Sequence, residues 1–502
     1  MSTALGTRNL GSGWAPKALF LLGAAAVLGV SVEAAYELAT GGSKLLVIIP
    51  ISALLLLALV IVGLVNFQLF VFITIAIRSS LDIARPDLGN NGTASGGAGT
   101  AYASGLDPAG ALAITFMVAS LFWFMSRRMN KATSPPPSIH RIALSTFAIT
   151  GYLSVIASSR PLISLLEAIR VSAVAVMLAV MEILLVDRAA IKRLILAIYL
   201  SAMVPVGLTL FYIALHKPQF TSGGFSRYQG TFSQPNPFAI YLTMLIIMGV
   251  ALLPYLKMRV RILMLVLIAA SVVCLYHTYT RSAWVAAVIG VVAVAIIGRR
   301  KMLGAALFAC LVVGLLAVPT ISQRFADLAS VAGGSTVNTQ GNTSNSIQWR
   351  FSYWTEVLPL ANNNPITGIG LRMSSFLTSQ NKEPHNDFLR AYVETGIVGA
   401  IAYFGLLLSM VLVARQGLRH SGPGFDRSIA VGFAGCVIAF VLISIVSNVI
   451  TEVIVLWYYV AFAAAAYAVT KFPASEREPE PEPISKAMRV THLLPEGGPA
   501  QA

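Results

Sequence analysis

Charge is what this sequence has least of. Only 11% of its 502 residues are Asp, Glu, Lys or Arg, while 57% are hydrophobic and the mean hydropathy is +0.78. A soluble chain carries about 25% charged residues, so an ordinary water-soluble globule is excluded and a polytopic membrane protein is expected. Cysteine is nearly absent too. Cys274, Cys310 and Cys436 each lie inside an apolar segment, with no metal-ligand spacing and no disulfide framework, and read as small packing residues. No Walker A sequence and no dinucleotide-binding glycine motif occurs, which argues against ATP- or NAD-driven chemistry. No basic run is interleaved with aromatics, so the net charge of +15 does not signal nucleic acid. The first apolar stretch has no small-residue cleavage site and is kept as a helix.

What is present is a series of apolar segments. The first runs over 17–38. The stretch 45–77 is too long for one crossing of about 20 residues, and Gly63 with Val65-Asn66-Phe67-Gln68 offers a turn that splits it. A Gly/Ser/Thr/Ala-rich loop fills 90–105. Further spans are expected at 109–126, 141–157, 162–186, 191–216, 237–255, 261–278, 282–298, 302–320, 386–414, 428–447 and 450–470. The reading is an all-α integral membrane protein, a helical bundle of about 12–14 transmembrane helices. Residues 1–16 form a flexible N-terminus, 17–470 the membrane domain, and 471–502 a Pro/Glu-rich disordered tail.

Lys and Arg set the orientation. They cluster at Arg127/Arg128/Lys131, Arg188/Lys192/Arg193, Lys257/Arg259/Arg261, Arg299/Arg300/Lys301 and Arg415/Arg419/Arg427, in every second loop. That side, with both termini, is expected to be cytoplasmic. Loops 217–236, 279–281 and 321–384 then face outward, and the last is long enough to serve as a lid.

The unusual residues collect in those outward loops. Around Arg227, Pro235 and Pro237 flank Asn236 and fix the entry to the next span, and Arg227 is a candidate anion ligand. In Thr278-Tyr279-Thr280-Arg281-Ser282-Ala283-Trp284 an arginine sits between two nearly adjacent spans, where it costs roughly 2.5–3.5 kcal/mol on insertion scales and is a functional candidate by default. Its guanidinium can fork onto a phosphate, and Trp284 can stack on a sugar. The plainer reading is an arginine snorkelling to lipid headgroups. Ser346 to Leu360 reads as an amphipathic helix with Ile347, Phe351, Trp354 and Leu358 on one face, resting on the membrane or on neighbouring spans, and with Arg350 adjacent. Asn364-Pro365 and Gly368-Ile369-Gly370 then turn the chain back to His385-Asn386-Asp387-Phe388-Leu389-Arg390. Read as a helix, His385, Leu389 and Tyr392 share a face, Arg390 and Glu394 pair four residues apart, and Gly396 and Gly399 admit a close neighbour. The plainer reading of His385 is an interfacial histidine capping a helix.

Topology therefore puts Arg227, Arg281, Arg350 and His385 on one side of the membrane. Several arginines with one histidine fit a doubly charged group such as a lipid pyrophosphate. The arginines would hold it and stabilise the leaving group, and His385 would deprotonate or orient an attacking hydroxyl. The outward loops hold no Asp-x-Asp pair and no ligand cluster, so neither metal nor cofactor is required.

Across roughly 200–450 the chain resembles the O-antigen ligase and O-antigen polymerase superfamily of bacterial inner-membrane glycan transferases. The resemblance rests on Gly230-Thr231-Phe232 with Pro235-Asn236 and Ala239, on Thr280-Arg281-Ser282-Ala283-Trp284, and on Arg350 and Trp354 followed by Asn364–Gly370. It also rests on His385-Asn386-Asp387-Phe388-Leu389 with Glu394-Thr395-Gly396 and Gly399. It implies a metal-independent membrane glycosyltransferase that moves a glycan from undecaprenyl pyrophosphate to an acceptor hydroxyl with inversion, at the periplasmic face of the inner membrane. Arg281, Arg350 and His385 match the family's two functional arginines and histidine. Arg227, Asn236, Trp284, Trp354, Asn386, Arg390 and Glu394 are the expected substrate-binding residues. The expected partners are the lipid-linked donor, a glycan or lipid acceptor and membrane lipids, in O-antigen or exopolysaccharide synthesis. Ligase and polymerase share this chemistry and stay open. The rivals are a transporter or flippase of lipid-linked glycans, with Glu167, Arg170, Glu182 and Glu452 along its path, a scaffolding membrane protein, and a glycosyltransferase using a monosaccharide phosphate lipid.

Overall fold

The computed structural model describes residues 57–81, 108–131, 136–222, 225–299, 346–379 and 381–472. Expected spans at 17–38 and 302–320, and the tail after 472, lie outside them. The described part is an all-α polytopic bundle. Eight of its helices are long and apolar enough to cross a membrane, and Phe67–Arg78, Arg281–Ile297 and Val453–Ala468 are shorter apolar helices.

In chain order these are α1 (Phe67–Arg78), α2 (Pro108–Met129), α3 (Ile139–Ser154), α4 (Pro161–Leu184), α5 (Arg188–Ser201), α6 (Met203–Ala214), α7 (Pro235–Leu252), α8 (Met258–His277) and α9 (Arg281–Ile297). The outer segment contributes α10 (Ser346–Val357) and the one-turn α11 (Ser374–Leu377). Then come α12 (Asp387–His420), α13 (Phe425–Ser444) and α14 (Val453–Ala468). The expected span 191–216 is one apolar helical span, Arg188–Ala214, with a turn at Ala202 dividing it into α5 and α6. The split of 45–77 falls at Asn66, whose extended backbone lets its side chain accept from Leu69 N at 3.0 Å and cap α1. Ser138 and Asp187 cap α3 and α5 in the same way, and Pro161 and Pro235 open α4 and α7.

α14 is the axis of the bundle. It is apolar all round and buried on nearly every face, with Trp457 and Phe462 wholly enclosed. It packs on α4, α12 and α13, while α7, α9 and α13 form a second tightly packed group. Gly290 and Gly435 allow the α9–α13 approach, since a Cβ on Gly290 would meet the Gly435 carbonyl oxygen at 3.2 Å. The outer faces of α2, α8 and α12 show Phe122, Leu263, Val266, Ile401 and Phe404, as lipid-facing helices do.

Polar links lie at the two ends. At one, Arg188 forks onto Asp426 through Nε and Nη2 at 3.1 and 2.8 Å, and Glu182 meets His140 at 2.9 Å and Arg141 at 3.5 Å. At the other lies a two-stranded hairpin, β1 (Phe220–Ser222) with β2 (Phe225–Arg227), amid loops expected to face outward. Two of the five basic clusters meet at the first end, since Arg188 pairs with the residue next to Arg427.

Candidate active site

Three chain segments meet at the hairpin end. The turn between α8 and α9 is the first. Arg227 reaches it from β2, donating from Nε to the Thr278 carbonyl at 2.7 Å and from Nη2 to Asn236 Oδ1 at 2.8 Å and Thr280 Oγ1 at 2.9 Å. Arg227 and Asn236 are thus engaged with each other and fasten the hairpin, the start of α7 and this turn together. Trp284 donates Nε1–H to the Leu275 carbonyl at 2.8 Å and stacks on Tyr276 with ring centroids 5.7 Å apart. The result fixes Arg281 as the first residue of α9.

The second segment is the helix α10. The stripe expected to rest on the membrane or on neighbouring spans is not the side that packs on the protein. Tyr353 and Val357 turn inward with Ala361, Ile369, Met373 and Val393 in a small separate core, while Phe351 and Leu358 stay exposed. Aromatic stacking explains the choice: Trp349 lies on Tyr353 at 5.1 Å, and the Tyr353 hydroxyl hydrogen-bonds with Thr378 and the Lys382 carbonyl. Trp354 donates Nε1–H to the Pro384 carbonyl at 2.7 Å, and Ser379 Oγ donates to Glu356 at 2.9 Å. α10 therefore clasps the strap 378–385 that carries His385.

The third segment is the head of α12, a broken helix. Gly396 has φ +68° and interrupts it. The turn 364–370 fills the break. Ile369 N and Gly370 N donate to the Val393 and Glu394 carbonyls at 3.1 and 3.0 Å, and Ile397 N donates to the Pro365 carbonyl at 2.9 Å. A Cβ on Gly396 would stand 2.1 Å from the Ile366 carbonyl oxygen, so the close neighbour here is a loop backbone rather than a helix. Irregular backbone at membrane depth is tolerated where protein satisfies it in this way.

His385 lies just outside this helix, in the left-handed region at φ +52°, and does not share a helical face with Leu389 and Tyr392. Asn386 is the N-cap, accepting from Leu389 N at 2.9 Å. The His385 ring meets Trp349 edge-on at 5.6 Å, and Asn448 Nδ2 donates to its Nδ1 at 3.3 Å. Arg390 and Glu394 pair at 3.0 Å as expected, inside a wider buried network. Arg390 also bonds Glu383 at 2.9 Å and Thr451 at 2.7 Å, and Glu394 accepts from Arg372 N at 2.7 Å and Ser374 Oγ at 2.5 Å. Both side chains are almost fully buried and act in the framework under His385.

Electrostatics joins the three segments. Burial, and then the Arg281 guanidinium, push Arg350 down to about 10. Burial, and then Arg350, push His385 down to about 4, with Glu383 opposing and Lys382 and Arg390 adding to the shift. Burial raises the Glu383 carboxyl, but Arg390 and then Arg372 outweigh it and hold it below the usual carboxylate range. Arg281, Arg350 and His385 are thus close enough to feel one another, and His385 is neutral at physiological pH. Two guanidinium groups held near each other favour an anion between them. Among the described residues no three His, Cys, Asp or Glu side chains group as metal ligands.

The family comparison falls on these segments. Residues 266–404 match the O-antigen ligase family model, a stretch that contains Arg281, Arg350 and His385. That stretch, rather more than a quarter of the chain, is similar to the O-antigen ligase family. A search of curated proteins finds no match. The match, with the eight helices apolar enough to cross a membrane, supports a multi-pass membrane protein of the glycosyl-transferring kind.

Sequence reading missed Asp387 and Asn448 as parts of the site. Asp387, wholly buried, accepts from Val449 N at 2.9 Å and Ile450 N at 3.1 Å, which brings Asn448 to His385. A polar Ser-Asn pair at 447–448 between two apolar spans was the available signal.

Proposed function

We propose that this protein transfers a glycan from undecaprenyl pyrophosphate to an acceptor hydroxyl, without a metal, at the periplasmic face. Arg281 and Arg350 hold the pyrophosphate and stabilise charge on the leaving group, and His385 acts at the reacting oxygens. The observation that carries this reading is the contact at 5.6 Å between the His385 ring and Trp349, the neighbour of Arg350 on α10, with Arg281 acting on Arg350 and Arg350 on His385. The basic clusters, away from this end, support its outward orientation. A carrier is less well supported: Glu167, one of its expected path residues, is tied to Arg170 at 3.4 Å and lies 3.9 Å from Arg372.

The test is complementation of a strain lacking the protein, with wild type, H385A and R281A at matched membrane levels and surface glycan read on a gel. Lost transfer with accumulated lipid-linked precursor supports the reading. Single repeat units on the acceptor then identify a polymerase, and bare acceptor a ligase. Normal glycan from both variants would remove Arg281 and His385 from catalysis.

A further inference from the structure

The hydrogen bond at 3.3 Å between Asn448 and His385 has a chemical sense. An amide nitrogen has hydrogens to give and no lone pair to offer, so Nδ2 donates and Nδ1 accepts. In a neutral imidazole the proton then resides on Nε2. Asn448 is held in place through its backbone: it is 6% exposed, and the two residues that follow it are fastened by Asp387. We infer that Asn448 holds His385 as the Nε2–H tautomer, so that the imidazole serves as a neutral hydrogen-bond donor to the departing pyrophosphate and not as the base.

The surroundings agree. The charged groups acting on the ring are Arg350 from α10, Lys382 and Glu383 from the strap, and Arg390 from α12, three cations against one carboxylate. They oppose an imidazolium, and a ring that stays neutral so far below pH 7 is a weak proton acceptor. In the transfer, the acceptor oxygen attacks the anomeric carbon. The bond from that carbon to the pyrophosphate oxygen breaks, and its electron pair leaves with the pyrophosphate. Arg281, Arg350 and Nε2–H meet the new charge. The hydroxyl proton passes to water as the glycosidic bond completes. Asn448 is a positioning residue in this scheme, acting only through His385.

The inference rests on the transferase reading, and one set of variants separates the two. The rate of surface glycan appearance after induction is compared for wild type, H385A, H385Q, N448A and the H385Q/N448A double variant, at matched membrane levels. A glutamine amide can donate from the place of Nε2, so H385Q is expected to run about tenfold or more above H385A. N448A is expected to slow the wild type about tenfold yet leave H385Q unchanged, because glutamine has no tautomer to set. H385Q as inactive as H385A overturns the donor role. N448A harmless in the wild type, or equally harmful in both backgrounds, overturns the part given to Asn448. If H385Q does not reach the wild-type level, N448D replaces it. A carboxylate has no hydrogen for Nδ1 and forces the other tautomer, so strong impairment is expected and a wild-type rate overturns the inference. Wild-type transfer by H385A would instead remove His385 from catalysis, and with it the part of the transferase reading on which this inference rests.

Discussion

His385 owes its properties to residues remote in sequence. Trp349 flanks the ring, Asn448 holds Nδ1, and Arg350 helps to keep the imidazole uncharged. An isolated histidine titrates near 6.5, whereas this one does so at about 4. The unfolded chain therefore binds a proton here that the folded protein rejects between those values. Stability contributed by the neutral ring is complete above about pH 6.5 and is lost as pH falls toward 4. Transfer measured in membranes should accordingly show no acid limb near pH 6.5 from this group. A wild-type profile breaking there and abolished in H385A would contradict the assignment. Arg350 is expected to matter for chemistry more than for folding. R350A should lower transfer by about 10²–10³-fold at an unchanged membrane level, measured against the same lipid-linked donor. Arg281 was a candidate in the sequence because a charge between two spans is costly enough to notice, and Arg350 and His385 because their outward segments resemble the family's motifs. Asn448 was not, since a neutral amide in a short loop carries no such cost.

The broken helix α12 is the element on which the site turns. Its first stretch, from Asp387 to Thr395, is held at one side by the 364–370 turn and at the other by the loop after α13. Gly396 makes the break possible, because an L side chain there meets both a disfavoured φ and the Ile366 carbonyl. G396A should cost about 2 kcal/mol or more and lower the thermal unfolding midpoint in detergent, with loss of transfer. A G405A control, where nothing lies within 4 Å of the added Cβ, should leave both unchanged. At Gly396 the partner that needs the space is a turn about thirty residues earlier, which periodicity could not reveal, whereas a Cβ on Gly399 would meet Thr150 of the helix α3 at 3.3 Å, the helix approach the sequence suggested. The inward face of α10 was beyond periodicity for a related reason, although the exposed Phe351 and Leu358 fit the expected stripe resting on the membrane. Ile347, Phe351, Trp354 and Leu358 form a good apolar stripe, but the Tyr353 hydroxyl has partners only on the strap, and those partners decide which side turns in.

On the scale of the whole molecule, polar links occupy both ends and apolar contacts the middle. The Arg188–Asp426 fork closes one end, away from the site. R188M should destabilise the protein by roughly 3 kcal/mol by leaving Asp426 without its partner. The surviving folded fraction should retain wild-type donor affinity, and a large affinity loss would mean that the two ends are coupled. Orientation can be tested directly. Cysteine placed at Asn362 should react with an impermeant thiol reagent in intact spheroplasts, and cysteine at Arg193 only after lysis; the reverse pattern would invert the topology. Membrane residence, approximate spans, basic-end asymmetry and the candidate Arg281 were all determined by sequence alone. Each follows from the cost of burying charge and backbone in lipid, a cost that acts locally along the chain. The tertiary structure decided which residues meet. Asp387 bringing Asn448 to His385, Arg390 reaching Glu383 and Thr451, and a distant turn filling the gap at Gly396 all join groups far apart in sequence, where no local rule reaches.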